Sequence, residues 1–245
     1  MSADETMQRE PNIILRLPQP DQEKALRHVS LAEQRATAPE PIASVEPQDV
    51  RSAIVVGGGS MGASIAYALD RAGIRVTIVE TDKDGADRAR ANVARLADGA
   101  LKRGLFSEEE AAECKIRIGV VTGYTELPDA ELAIEAAFED MAVKKQVFSA
   151  LEKALPADAV LATNTSYLDV DEIAQTVSDP SRVIGLHFFS PTHIMKLLEI
   201  VRGVDNRHAA LAQPVDDEAV VDDLVADIDR RAIFFQSQHD DLDRT

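Results

Sequence analysis

The sequence predicts an α/β fold with a doubly wound, mostly parallel sheet. The main observation is that residues 52–202 alternate between short runs rich in β-branched apolar residues and longer stretches of helical periodicity. A second is a glycine-rich turn between the first such run and the first helical stretch. Because strand and helix repeat in turn, neighbouring strands are expected to lie parallel, with helices on both faces of the sheet.

Individual strands and helices follow from these patterns. The strands are predicted at residues 52–57, 75–80, 115–121, 132–137, 159–164 and 182–188, with 195–201 as an added edge strand after a proline-containing loop. The helices are predicted at residues 60–73, 83–104, 141–155 and 168–177.

The flanking segments differ in composition from this central region, which predicts three parts. Residues 1–51 hold six of the eleven prolines and are predicted to be a linker with one short helix at 21–36. Residues 52–202 form the α/β domain. Residues 203–245 carry eleven acidic side chains against four basic ones, and we predict one helix at 219–236 in an otherwise disordered acidic tail.

Charge and cysteine content exclude several classes of protein. The net charge of −17 would be repelled by nucleic acid and by anionic membranes, so neither is an expected partner. No apolar stretch has the length of a transmembrane helix. Cys114 is the one cysteine and can form no intrachain disulfide, which favours a reducing, cytoplasmic location. We expect no metal site.

The glycine-rich turn has the spacing of a dinucleotide-binding site. Gly57, Gly59 and Gly62 are spaced G-x-G-x-x-G directly after a strand and at the start of a helix, whose free N–H groups would bind phosphate. This spacing alone is weak evidence, because a glycine-rich turn also occurs without a ligand. However, Glu80 ends the second strand 23 residues after Gly57, near the usual separation. A carboxylate there accepts hydrogen bonds from ribose hydroxyls and repels a 2′-phosphate, which favours NAD over NADP.

Further polar residues follow the fourth, fifth and sixth predicted strands. Since the carboxyl ends of parallel strands meet at one edge of the sheet, these residues should lie near the nicotinamide end of the cofactor. They are Glu139 and Lys144 after the fourth strand, Asn164, Thr165 and Ser166 after the fifth, and His187 and Ser190 at the end of the sixth.

Each of these residues also has a purely structural interpretation. Glu139 and Lys144 fit a solvated helix start, and Thr165 or Ser166 fits a helix N-cap. A histidine on an apolar strand, such as His187, is more often a core residue than a catalyst. Glu199 lies on another apolar strand, where an unpaired buried carboxylate is costly. It therefore needs a partner, and His187 is the natural candidate.

Three segments together resemble the NAD-binding domain of the 3-hydroxyacyl-CoA dehydrogenases of fatty-acid β-oxidation. They are VVGGGSMGASIA, ATNTSYL and GLHFFSPTHIMKLLEIV, within residues 52–202. The segment ALRHVSLAEQRA with the proline-rich stretch after it is similar to the connector found in fused hydratase–dehydrogenase proteins. The resemblance implies a Rossmann-like domain, NAD as cofactor and an acyl-CoA substrate.

The resemblance also implies roles for individual residues. His187 matches the catalytic base, Glu199 the carboxylate that orients it, and Ser166 a serine that bonds the substrate oxygen. Besides the glycines, Glu80 and Ser166, seven residues match positions near the cofactor in the family. They are Met61, Ala137, Phe138, Glu139, Lys144, Asn164 and Ser190.

Two departures from the family pattern bear on function. The family usually has asparagine where this chain has Ser190. The family also continues into an all-helical domain that closes over the acyl-CoA, and no segment resembling its start follows Val201. The interpretation is an NAD-dependent dehydrogenase of this type that is truncated. The alternatives are a non-catalytic NAD-binding fragment, a subunit completed by a separate helical partner, and a dehydrogenase for another hydroxy acid.

Overall fold

The computed structural model describes residues 24–28, 50–195, 198–203 and 233–237. An eight-stranded sheet in the order β3-β2-β1-β4-β5-β6-β7-β8 organises these residues. All neighbouring strands are parallel except β6 and β7. The strands are β1 Ser52–Val56, β2 Arg75–Glu80, β3 Gly119–Thr122, β4 Leu132–Glu135, β5 Val160–Thr163, β6 Val183–Phe188, β7 Leu198–Arg202 and β8 Ile233–Ser237.

Helices cover both faces of this sheet. They are α1 Ser60–Arg71, α2 Lys83–Lys102, α3 Glu108–Arg117, α4 Met141–Ala154 and α5 Val170–Ala174, with a 3-10 turn at Pro180–Arg182. One buried apolar cluster joins the sheet to α1, α2 and α3. A second cluster joins the other face to α4 and α5. The predicted doubly wound, mostly parallel, Rossmann-like α/β fold is confirmed.

The segment before β3 differs from the prediction. Residues 115–117 were predicted to begin a strand, but they form the last turn of α3, a helix that the periodicity analysis missed. Ser107 and Glu110 form a capping box at its start, with the Ser107 hydroxyl accepting from the Glu110 amide and the Glu110 carboxylate accepting from the Ser107 amide. The apolar run KIRIGVV is therefore divided between a helix end and a short strand.

The region after β6 also differs. The helix predicted at 219–236 is wrong at its end, because residues 233–237 form β8, which pairs parallel with β7. The run IFF is β-branched and aromatic, a composition that favours a strand. The edge of β7 that faces away from β6 offers backbone groups with which this strand pairs. As a result β7 is an inner strand of the sheet and not the predicted edge. The rest of that predicted helix lies outside the described residues.

The N-terminal segment is described only at residues 24–28, which are helical and lie within the helix predicted at 21–36. The remainder of the predicted linker up to residue 49 lies outside the described residues. Across the described parts of the chain, no helix combines the length and apolar character needed to cross a membrane.

Candidate active site

The strand order reverses between β1 and β4, and the loops after these two strands meet there. The turn after β1 approaches the segment after β4 so closely that a Cβ on Gly57 would lie 2.8 Å from the carbonyl oxygen of Ala136 and 3.2 Å from the Cα of Ala137. Gly57 also has a φ of 94°, a left-handed conformation that favours glycine. In open α/β sheets, ligands bind in the crevice at such a reversal.

The start of α1 is built to accept an anion. Its N-cap, Gly59, supplies no side-chain cap, and no acidic residue lies in the first turn, so the terminal N–H groups have no carboxylate competing for them. A Cβ on Gly59 would have nothing within 4 Å, whereas one on Gly62 would lie 1.8 Å from the Gly57 carbonyl oxygen. The turn is thus close-packed on its inner side and open on its outer side, which fits a pyrophosphate.

Glu80 lies at the end of β2 beside the glycine turn, as its predicted role in NAD binding requires. Its Oε1 accepts a hydrogen bond of 2.6 Å from the amide of Gly58. Space for the carboxylate comes from Gly85 on α2, where a Cβ would lie 2.7 Å from Glu80 Oε2. The sequence prediction missed Asn92, whose side-chain amide donates to the Gly58 carbonyl at 2.9 Å. Both the amide and the carbonyl of Gly58 are therefore hydrogen-bonded to side chains.

His187 and Glu199 lie directly opposite each other on the antiparallel strands β6 and β7. Their Nδ1 and Oε2 atoms are 2.7 Å apart, and the two side chains are 18% and 34% exposed. Because a carboxylate only accepts hydrogen bonds, Nδ1 carries a proton, and in the neutral imidazole Nε2 then presents its lone pair. Ser166 Oγ lies 3.2 Å from this Nε2. The structure therefore brings the three predicted catalytic residues into one line.

Asn164 positions the strand end that carries the histidine. Its side-chain oxygen accepts a hydrogen bond of 2.8 Å from the amide of Phe188, the residue after His187. The backbone amide of Asn164 donates to the backbone carbonyl of Glu135 at 2.7 Å. Asn164 thus ties together the carboxyl ends of β4, β5 and β6, where the predicted residues converge.

The structural interpretations of Lys144 and of the Thr165–Ser166 pair are wrong. Lys144 is fully buried, so it is not part of a solvated helix start. Helix α5 is capped by Asp169, whose side chain accepts from the amides of residues 171 and 172. The Thr165 hydroxyl and the Ser166 amide instead donate to Oε1 of Glu139, the latter at 2.9 Å.

The carboxyl group of Glu139 has a pKa below its usual value. Burial alone would raise this pKa, but the hydrogen bonds from Thr165 and Ser166, together with the Lys144 ammonium 3.0 Å from Oε2, lower it. Glu139 is therefore an anion that bridges the start of α4 and the loop after β5.

A buried carboxylate that the sequence prediction missed lies behind this loop. Glu135, the last residue of β4, is fully buried and forms an ion pair with Lys144 at 2.8 Å. It also accepts from the Thr163 hydroxyl at 2.7 Å. The signal was available in the sequence, since LAIEAA places a glutamate inside an otherwise apolar strand, where it must have partners.

The remaining predicted residues lie around the same edge of the sheet. Met61 is half-buried in the first turn of α1, and its sulfur accepts a weak hydrogen bond from the Thr192 hydroxyl at 3.5 Å. Ala137 is half-buried, Phe138 is 78% exposed, and Ser190 is exposed two residues after the end of β6. All four lie in the first turn of α1 or in the segments after β4 and β6, and their contact with a cofactor stays a prediction.

Known proteins share this architecture. A family model described as "3-hydroxyacyl-CoA dehydrogenase, NAD binding domain" matches residues 52–227. A peroxisomal bifunctional enzyme of Danio rerio is 39% identical over 168 residues, which are 68% of this chain and 23% of that protein. A peroxisomal fatty acid beta-oxidation multifunctional protein of rice is 35% identical over 181 residues, 73% of this chain and 25% of that protein.

Among solved structures, 3-hydroxybutyryl-CoA dehydrogenase from Escherichia coli superposes with a TM-score of 0.67 at 30% identity, covering 78% of this chain and 39% of that one. The chain spans about a quarter of the length of the curated relatives it matches. The predicted family and the predicted cofactor, NAD, are both confirmed by these matches. The chain belongs to the 3-hydroxyacyl-CoA dehydrogenase family, of which it carries the NAD-binding domain.

Proposed function

We propose that this protein is a dehydrogenase of fatty-acid β-oxidation that oxidises the 3-hydroxyl group of a 3-hydroxyacyl-CoA. The observation that supports this most directly is the line of hydrogen-bonding groups from Glu199 through His187 to Ser166. It lies at the carboxyl end of the sheet, on the same edge as the glycine turn. A base and a coenzyme site on one edge are what hydride transfer from an alcohol requires.

The three side chains have separate roles in this proposal. His187 Nε2 accepts the proton of the substrate hydroxyl, and Ser166 Oγ holds the same oxygen in place. Glu199 keeps the other imidazole nitrogen protonated and stabilises the imidazolium that forms. When bound, NAD⁺ accepts the hydride that leaves C3. The products are a 3-ketoacyl-CoA, NADH and the proton held by His187.

The reaction is tested in reverse with acetoacetyl-CoA and NADH, followed by the loss of NADH absorbance. We expect turnover by the wild-type protein and a loss of about 10²–10⁴-fold in His187→Ala, the usual contribution of an acid–base group. His28→Ala makes the same change at an exposed position and should leave the rate unchanged. Equal rates in wild type and His187→Ala would contradict the role of the histidine. Turnover of a free hydroxy acid without CoA would contradict the substrate class.

A second candidate function is NAD binding without catalysis unless a helical partner completes the acyl-CoA cleft. Two aromatic side chains beside the site favour it, since Phe138 and Tyr167 are 78% and 75% exposed. Such residues often lie under another protein surface. NADH binding without turnover, followed by turnover once a helical domain from a longer relative is added, would support this candidate. Turnover by the chain alone would exclude it.

We also propose a cytoplasmic location. The supporting observation is that Cys114, the one cysteine, is a buried free thiol. Several curated relatives are named as peroxisomal or glyoxysomal proteins. A fluorescent fusion observed in the source cells distinguishes the two, because diffuse signal is expected here and punctate signal would contradict the proposal.

A further inference from the structure

Lys144 is held between two carboxylates. Its ammonium nitrogen lies 3.0 and 2.8 Å from the two carboxylate oxygens of Glu135 and 3.0 Å from Oε2 of Glu139. The two contacts with Glu135 are hydrogen bonds, and the contact with Glu139 is an ion pair. Both Lys144 and Glu135 are fully buried. Lys144 can therefore act on the site through the two glutamates that it contacts.

Glu139 carries that effect to the loop after β5. One of its oxygens faces Lys144, and the other accepts from the Thr165 hydroxyl and the Ser166 amide. Thr165 in turn accepts from the amide of Leu168 at 3.0 Å, which closes the loop into a tight turn. Ser166 then presents its hydroxyl to His187 at 3.2 Å. The position of the serine thus depends on where the Glu139 carboxylate is held.

Glu135 carries the effect toward the glycine turn. Its Oε1 accepts from the amide of Ala137 at 2.8 Å, and its Oε2 accepts from the Thr163 hydroxyl. Ala137 belongs to the segment that closely approaches Gly57 at the sheet reversal. One buried carboxylate is therefore bonded to the backbone beside the coenzyme crevice and to the ammonium that holds Glu139.

We propose that Glu135 and Lys144 are positioning residues that hold the coenzyme side and the substrate side of the site in a fixed relative position. A buried ion pair adds little net stability compared with apolar residues of the same size, so stability alone does not account for one here. The pair fixes Ala137 on the coenzyme side and, through Glu139, the amide of Ser166 on the substrate side. The effect of this positioning on catalysis rests on the proposed dehydrogenase function. The positioning itself rests only on the contacts described above.

The test removes the pair without leaving a buried charge, in the double variant Glu135→Gln/Lys144→Met. The matched control is Asp70→Asn/Arg117→Met, which removes the ion pair of 2.8 Å between α1 and α3. The ligand-free proteins are compared by hydrogen exchange of the Ser166 amide and by the ¹⁵N chemical shift of His187 Nε2 at one pH. The dissociation constant for NADH is measured by fluorescence.

In the double variant at the site, we expect the Ser166 amide to exchange about tenfold faster and NADH to bind about tenfold more weakly, the effect of one lost hydrogen bond. The His187 Nε2 shift should also move. The control should match wild type in all three measurements, although its unfolding midpoint falls. If the site variant is folded and matches wild type in exchange and in the imidazole shift, the proposal is wrong.

Glu135→Gln alone serves if the double variant does not fold, since glutamine keeps the shape of the side chain. It should change the same measurements in the same direction by a smaller factor, and unchanged values would again refute the positioning role. If wild type fails to bind NADH, the proposed function is refuted. The exchange and ¹⁵N measurements on ligand-free protein still decide the positioning role in that case.

Discussion

At the scale of single residues, Glu139 links the stability of the fold to pH. Its pKa in the folded protein is below the 4.5 of a free side chain. A carboxyl group with a lowered pKa stabilises the folded state above its unfolded pKa, and this contribution is lost as the pH falls through the folded pKa. The contribution of ionised Glu139 to the free energy of unfolding should therefore be complete at neutral pH and disappear in acid.

Glu139→Gln should lower the free energy of unfolding at about pH 6, and this difference from wild type should shrink as the pH approaches about 3. Urea unfolding at several pH values measures it. Glu126→Gln makes the same change at an exposed position and serves as the control. A difference that stays constant from neutral to acid pH would show that the ionised form of Glu139 does not stabilise the fold.

Two neighbouring glycines should respond differently to the same substitution. A Cβ on Gly58 would lie 2.2 Å from the Cβ of Ala89, whereas one on Gly59 would meet no atom within 4 Å. Gly58→Ala should therefore lower the free energy of unfolding by about 1–3 kcal/mol, the usual cost of overpacking. Gly59→Ala should lower the free energy of unfolding by less, because it changes only an N-cap residue, and it should weaken NADH binding about tenfold or more, a cost of about 1.4 kcal/mol.

Thermal unfolding and NADH titration of both variants separate the two effects. A loss of stability in Gly59→Ala as large as that in Gly58→Ala would mean that the outer side of the turn is not open. Unchanged NADH affinity in that variant would place the pyrophosphate elsewhere.

At this scale the sequence predicted the residues whose chemistry is local and missed those whose role depends on packing. Gly57 and Glu80 have a known spacing, so they were found. Asn92 contacts Gly58 only because α2 folds across the turn, and nothing in the sequence near Asn92 indicates that contact. Lys144 was placed in the site, but its burial follows from the position of Glu135 on the neighbouring strand.

At the scale of elements, the start of α3 is fixed by a capping box. The helix spans only Glu108–Arg117 and begins with the reciprocal Ser107–Glu110 hydrogen bonds. Ser107→Ala removes the side-chain acceptor and should lower the free energy of unfolding by about 1 kcal/mol. NADH affinity should not change, because α3 carries none of the residues of the predicted site. An unchanged unfolding midpoint would show that the cap contributes nothing.

The same helix shows why element boundaries were harder to predict than the fold class. The segment KIRIGVV is β-branched and apolar, so its composition favours a strand throughout. The capping box eight residues upstream starts a helix that continues to Arg117, and its last turn is therefore taken from the predicted strand. Strands β1, β2 and β6 were placed to within one residue because each lies between clear turn or helix signals.

At the scale of the whole molecule, excess negative charge should make stability depend on salt. The net charge is −17, so the folded chain repels itself more strongly than the unfolded one. Salt screens this repulsion, and the thermal midpoint should rise by about 2–5 °C between about 0.02 and 0.5 M NaCl. Differential scanning calorimetry measures it. A falling midpoint would mean that exposed ion pairs such as Lys115–Asp98 outweigh the repulsion.

The overall architecture was predictable because it follows from a repeated pattern, while the far edge of the sheet was not. Alternating runs over residues 52–188 specify a parallel sheet whatever their exact boundaries. Strand β8 comes from residues 233–237, more than thirty residues after β7, and short-range patterns carry no information about pairing at that distance. Its composition was read as the end of a helix because nothing nearby contradicts a helix.

The cross-strand placement of His187 and Glu199 has a consequence for how this protein can vary. The pair is set by the register of β6 on β7, in which these two residues are direct partners. The length of the segment that connects the strands does not enter into that register. Insertions at exposed positions between Phe188 and Leu198 should therefore leave the pairing of His187 with Glu199 unchanged, whereas a shift of one residue within β7 would turn Glu199 to the opposite face of the sheet.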